Sequence, residues 1–127
     1  MNTVLVVDDE SQIRRALSLN LGARGYEVLE ATTGEAAIAL IRDRHPDVVL
    51  LDLGLPDMDG IVVLESVRQW SRVAIIVLTV RDDERSKAEA FEAGADDYVT
   101  KPFDMAELAD RIAGVLRRNA EVSGDRP

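Results

Sequence analysis

The sequence predicts an α/β fold in which a doubly wound parallel sheet carries helices on both faces. Three observations lead there. Apolar runs of strand length alternate five times with segments of helical period. Three of those runs, residues 4–7, 48–51 and 73–78, are almost continuous Val, Ile and Leu, as in strands covered on both sides. Each is then closed by polar residues: Asp8 and Asp9, Asp52, and Thr79. Right-handed crossovers put all these strand ends on one edge, where open α/β sheets place their function.

The other two strands, 27–30 and 97–99, are shorter and more polar, which suits sheet edges. Between the strands, Ile13, Leu17 and Leu21 share one helix face, and Gly25 is a plausible terminator. Thr32 and Glu35 have the spacing of a capping box, opening a helix that buries Ala37, Leu40 and Ile41. Asp59-Gly60 opens a third helix with Leu64 and Val67 inward. A fourth, about 84–93, has Phe91 as its one large apolar side chain, so its docking is expected to be weak and its displacement cheap. A fifth starts from the Asp104-x-x-Glu107 box and turns Leu108, Ile112, Val115 and Leu116 inward. Residues 1–119 read as one domain, and 120–127 as a polar tail or the start of an interdomain linker.

Composition narrows the function. At 127 residues the chain can bury a real core, and 46% apolar with 31% charged residues excludes wholesale disorder. No apolar stretch approaches the roughly 20 residues of a membrane span, and no leader is expected before the first strand. The absence of cysteine excludes disulfides and thiol chemistry and is compatible with a reducing cytoplasm. A net charge of −9 opposes binding of a phosphate backbone, so no direct nucleic-acid contact is expected. Arg111, Arg117 and Arg118 collect near the end, the last two reading as cations on a helix C-terminus. The lone histidine, His45, reads as a solvated loop residue.

Three carboxylates at neighbouring strand ends repel one another unless a positive group sits among them. A hard divalent cation and an ammonium fit that role, and Mg²⁺ needs only one or two carboxylates. Asp8-Asp9 taken alone is as well explained by helix capping, and Asp52 by the turn after it. Against the second explanation, apolar residues flank Asp52 and the turn signals begin two residues later. A carboxylate there can act as a nucleophile towards phosphorus, and phosphoryl transfer asks mainly for positioning and charge neutralisation. Lys101, just after the last strand, is the available ammonium, and a cis bond to Pro102 would fix that turn. Thr79 offers a hydroxyl to a phosphoryl oxygen, and Tyr98 reads as edge packing.

Asp8-Asp9, Asp52, Thr79 and Lys101-Pro102, in that order and spacing, resemble the receiver domain of two-component response regulators. The resemblance spans residues 3 to about 119. It implies a flavodoxin-like (βα)5 sandwich with strand order 2-1-3-4-5. It implies that Asp52 accepts a phosphoryl group from a sensor histidine kinase. Mg²⁺ would be held by Asp9, Asp52 and the Gly54 carbonyl, with Asp8 acting through water. Lys101 and Thr79 would contact phosphoryl oxygens, and Tyr98 would swing inward as Thr79 moves. Lys87, Phe91, Asp97, Glu107 and Arg111 would lie on a homodimer face of helix four, strand five and helix five, as in the OmpR/PhoB transcription regulators. The segments 51–57 and 68–71 most resemble the KdpE-type potassium-transport regulators within that group.

Two residues depart from the family pattern. Ala113 removes a charge often present on the dimer face, and Val80 stands where a small residue is usual, which predicts slow loss of the phosphoryl group. Three alternatives stand beside this one. A haloacid-dehalogenase-type phosphohydrolase would need a carboxylate at Gly54, and a flavin carrier would need a phosphate loop where Asp8-Asp9-Glu10 stands. A free-standing receiver and a regulator with a C-terminal DNA-binding domain would share this whole segment and differ only beyond Pro127.

Overall fold

A computed structural model describes residues 1–124, with side chains as far as Ala120. Five strands, β1 (Thr3–Val7), β2 (Glu27–Ala31), β3 (Val48–Leu51), β4 (Ala74–Thr79) and β5 (Asp97–Thr100), form one parallel sheet in the order β2-β1-β3-β4-β5. They alternate with α1 (Ser11–Ala23), α2 (Gly34–Arg44), α3 (Gly60–Arg68), α4 (Glu84–Ala93) and α5 (Met105–Gly124). The two polar strands are the edges and the three apolar ones the centre, as the sequence predicts.

Because side chains alternate across a strand, each central strand feeds two cores. Leu5, Val7, Val49, Leu51, Ile75 and Val77 face α2, α3 and α4, meeting Ala37, Ile41, Val63, Leu64, Val67 and Ala90. Val4, Val6, Val48, Leu50, Ile76 and Leu78 face α1 and α5, meeting Leu17, Leu21, Leu108, Ile112 and Val115. Each fully buried Leu or Ile contributes about 1.5–3 kcal/mol through removal from water, which makes the centre of the sheet the rigid part of the molecule.

Several local expectations change. The N-cap of α2 is Thr33 rather than Thr32: its hydroxyl accepts from Ala36 N–H at 3.1 Å. Glu35 does not complete a box, because its N–H is bound at 3.0 Å by Asp57, which also takes Gly34 N–H at 2.8 Å. One loop carboxylate thus caps a helix 22 residues before it in sequence. At α5 the box forms by half: Asp104 accepts from Glu107 N–H, while the Glu107 carboxylate turns to Arg111. The expected tail from residue 120 begins as helix, since α5 continues to Gly124, and residues 125–127 lie outside the described ones.

Helix α4 buries only Ala90 completely and leaves Phe91 half exposed, in keeping with weak docking. Its C-terminus is nevertheless fastened by a contact that no local spacing predicts. Arg68 donates twice to the Gly94 carbonyl, at 3.0 and 2.9 Å, and once to Asp96 at 3.1 Å. Gly94 ends α4 with φ +110, and a Cβ there would lie 2.8 Å from Arg68 Nε. Left-handed geometry and the guanidinium both require glycine here.

The Asp57 cap makes stability depend on pH. The Gly34 and Glu35 N–H groups hold the Asp57 carboxyl below its ordinary pKa of 3.8. A depressed carboxylate contributes stability above the unfolded value and loses it as pH falls through the folded one. Asp57→Ala is therefore expected to lower the urea midpoint near neutral pH, with the difference shrinking as pH falls below 3.8 and vanishing only below the lower folded-state value. A constant difference between the two across pH would contradict this.

Candidate functional site

The sheet edge assembles the site by extending its own hydrogen-bond ladder one residue past each strand. Asp8 N–H donates to Ala31 O at 3.1 Å, Asp52 N–H to Val7 O at 3.0 Å and Lys101 N–H to Thr79 O at 2.8 Å. Backbone pairing therefore sets the height of Asp8, Asp52 and Lys101 along the sheet before any side chain acts. Asp8, Asp52 and Thr79 are the buried polar residues here, at 2%, 6% and 1% exposure.

The Asp8, Asp9 and Asp52 carboxylates each offer an oxygen within 4.8 Å of the others. Lys101 lies among them, its Nζ 2.6 Å from Asp8 Oδ2, 3.2 Å from Asp52 Oδ2 and 3.9 Å from Glu10 Oε1. Burial disfavours the ammonium, but the hydrogen bond to Asp8 and the attraction of Asp52 and Asp8 outweigh it, and its pKa lies above the ordinary lysine value. The other oxygens of the two buried carboxylates bind backbone: Asp8 Oδ1 takes Glu10 N–H at 2.9 Å and Asp52 Oδ1 takes Gly54 N–H at 3.2 Å. Asp8 thus has both oxygens engaged, whereas Asp9 is exposed.

An all-oxygen donor set without Cys or His suits a hard cation such as Mg²⁺. The Lys101–Pro102 peptide is cis. Val80 is 69% exposed at the lip, and with Glu10, Ile13, Lys101, Pro102 and Phe103 it lines an open groove of about 350 Å³.

The remaining predicted residues lie farther along the same end. Tyr98 donates its hydroxyl to the Arg81 carbonyl at 2.7 Å, and its ring meets Phe91 with centroids 6.3 Å apart. The hydroxyl is thus anchored on the loop that follows Thr79. Burial, followed by the charge of Asp83, raises the Tyr98 pKa above the usual phenol value. Thr79 Oγ1 accepts from Arg81 N–H at 3.4 Å.

Arg111 reaches both Asp97 oxygens, at 2.8 and 2.9 Å, and Glu107 at 3.0 Å. The hydrogen bonds to Asp97 and Glu107 raise its pKa. Charges expected to pair between subunits are thus already paired within the chain, and Lys87 lies 3.8 Å from Glu84.

Sequence reasoning gave no contact to Glu10, Asp57, Arg68 or Arg81, although Glu10 stands beside Asp8-Asp9, and Asp57 and Arg68 lie in the segments 51–57 and 68–71.

Comparison with known proteins agrees with this geometry. Residues 4–113 match the response regulator receiver domain. The chain is 54% identical over 119 residues to the transcriptional regulatory protein KdpE of Mycobacterium tuberculosis, covering 94% of this chain and 53% of that protein. It is 45% identical over 127 residues to the KDP operon transcriptional regulatory protein KdpE of Escherichia coli, covering all of this chain and 56% of that protein. The chain thus spans just over half the length of these relatives. The crystal structure of the BeF3-activated N-terminal receiver domain of Klebsiella pneumoniae RstA superposes with a TM-score of 0.88 at 30% identity, covering 91% of this chain and 99% of that one. With the acidic edge, its lysine and the β2-β1-β3-β4-β5 sheet in place, the chain belongs to the response regulator receiver domain family.

Proposed function

We propose that Asp52 is the phosphoacceptor of a two-component switch. The observation that carries this is a nearly buried carboxylate at a strand end, sharing one buried ammonium with a second carboxylate. An Asp52 oxygen attacks the phosphorus of a phosphohistidine on a sensor kinase. The P–N bond breaks, the imidazole leaves with the bonding pair, and an acyl phosphate remains on Asp52. Both Asp52 oxygens are held by contacts of 3.2 Å, long enough to be given up.

Asp9 and Asp52, with the Gly54 carbonyl, would hold Mg²⁺, and the shorter contacts on the Asp8 oxygens, 2.9 and 2.6 Å against 3.2 Å for both oxygens of Asp52, support a water-mediated part for Asp8. When bound there, the cation would supply neutralisation of phosphoryl charge. Lys101 follows the new charge, and Thr79 offers its hydroxyl from the end of β4. The chain assists its own modification without being a turnover enzyme.

Phosphorylation adds nearly two negative charges at pH 7 to an edge that already holds three carboxylates. The weakly docked α4 is the element such a charge can bias. The output surface is α4, β5 and α5, where Lys87, Phe91, Asp97, Glu107 and Arg111 support a homodimer once Arg111 exchanges partners. The names of its relatives support transcriptional control, which we assign to a DNA-binding domain outside this chain. Acting in the cytoplasm fits a chain in which no helix among the described residues is long and apolar enough to cross a membrane.

The test is incubation with Mg²⁺ and phosphoramidate, with intact mass as the readout. Wild type is expected to gain one phosphoryl group and Asp52→Ala none. Equal uptake by both would overturn the assignment.

A further inference from the structure

One side chain joins the loop after Asp52 to the loop after Thr79, and neither composition nor motif singled it out. Arg81 Nη1 donates to Asp59 Oδ2 at 3.0 Å and Nη2 to the Leu53 carbonyl at 3.4 Å. Both acceptors belong to the segment that leaves the phosphoacceptor: Leu53 comes directly after Asp52, and Asp59 is the N-cap of α3. The backbone carbonyl of the same Arg81 receives the Tyr98 hydroxyl at 2.7 Å. Tyr98 in turn stacks at a tilt on Phe91 of α4. A continuous path therefore runs from the residue after Asp52, through Arg81, to the aromatic pair on the α4 face.

We propose that Arg81 is a positioning residue that couples the phosphoacceptor loop to Tyr98, its side chain gripping one loop while its carbonyl holds the ring. The inference rests on the reading of Asp52 as phosphoacceptor and adds to it the route by which that loop is felt at α4. The chemistry suits the task. A guanidinium is a planar fork that can hold a carboxylate and a carbonyl together, which an ammonium does poorly. The pair is partly exposed, with side chains 35% and 42% accessible, so its hold is modest and reversible. A switch needs that property, because a small change in contact then shifts the population of two arrangements.

Asp59 also separates its two roles by atom. Oδ1 caps α3 by accepting Ile61 N–H at 2.9 Å, and Oδ2 takes Arg81. Asparagine at this position keeps a capping oxygen and loses the charged partner.

The experiment uses the chain labelled with 3-fluorotyrosine. It has two tyrosines, Tyr26 and Tyr98, and Tyr98→Phe assigns the fluorine resonances. In wild type the Tyr98 resonance is expected to lie away from the free label. In Arg81→Ala and in Asp59→Asn it should move towards the free label by similar amounts. The double variant should move no farther than either single one, and Tyr26 should stay in place as a control for folding. A Tyr98 resonance unmoved in either single variant, or a double variant showing the sum of two shifts, overturns the coupling. Phosphoramidate uptake measured on the same samples and on Asp52→Ala keeps the two proposals apart. Loss of uptake specificity for Asp52 would remove the phosphoacceptor reading and leave the Tyr98 result standing. Normal uptake with an unmoved Tyr98 would remove the coupling alone.

Discussion

Gly60→Ala is expected to destabilise the chain by about 2–3 kcal/mol, the range of an overpacked core position, and to slow phosphoryl uptake at Asp52 at least about tenfold, the equivalent of a 1.4 kcal/mol barrier. A Cβ at Gly60 would lie 2.6 Å from the Asp52 carbonyl oxygen, 2.7 Å from Leu53 Cα and 3.0 Å from Leu53 Cδ2. The first two of these atoms are backbone, so no rotamer change relieves the clash. Gly60 N–H also donates to Leu53 O at 2.8 Å, and the loop between is closed by a bridge between Gly54 and Asp59. Relief must come from moving the Asp52–Leu53 peptide. A single methyl group thus pushes the phosphoacceptor without touching its side chain. Urea unfolding and the rate of mass gain with phosphoramidate check the two effects. Wild-type values for both would show that the loop yields more readily than its hydrogen bonds imply.

Lys101→Met is expected to cost about 3 kcal/mol in the absence of divalent cations, the scale for breaking a buried ion pair from one side. The Lys101, Asp8 and Asp52 side chains are only 6%, 3% and 8% exposed, so water cannot replace the lost ammonium. Removing Lys101 leaves two buried carboxylates facing each other with Asp9 close by. A cation bound among them would then relieve more repulsion than in wild type. Mg²⁺ should therefore raise the urea midpoint of the variant more than that of wild type, since a ligand stabilises the state that binds it. Equal shifts in the two proteins would show that lysine and metal do not share the charge of this cluster.

Much of the site was legible because it is local. Asp52 and Thr79 end apolar runs, and a strand that ends in a polar residue delivers it to a sheet edge whatever else the chain does. The contacts that sequence reasoning missed share a different character. Arg68 with Gly94, Arg81 with Asp59 and Asp57 with Gly34 join residues 26, 22 and 23 positions apart. Nothing in a run of neighbours marks which carboxylate a long flexible arginine will find. The Thr32 cap failed for a related reason. Two adjacent threonines offer the same hydroxyl, and the choice of Thr33 goes with the docking of Asp57 onto the start of α2. The charges of the predicted dimer face are legible as residues, but their partners are not. Arg111 is satisfied inside its own chain by Asp97 and Glu107.

By itself, then, the sequence determined the order of strands and helices, the two-sided burial of the central strands and the gathering of carboxylates at one edge. These come from side-chain alternation, helical period and caps, all of which act over a few residues. Only the tertiary structure decided that Lys101 rests between Asp8 and Asp52, that Tyr98 is held by Arg81, and that α4 is fastened by Arg68 at its end. Those contacts form after the sheet has brought distant segments together. A hydrogen bond chooses its partner by distance and angle, and neither exists until the chain has folded.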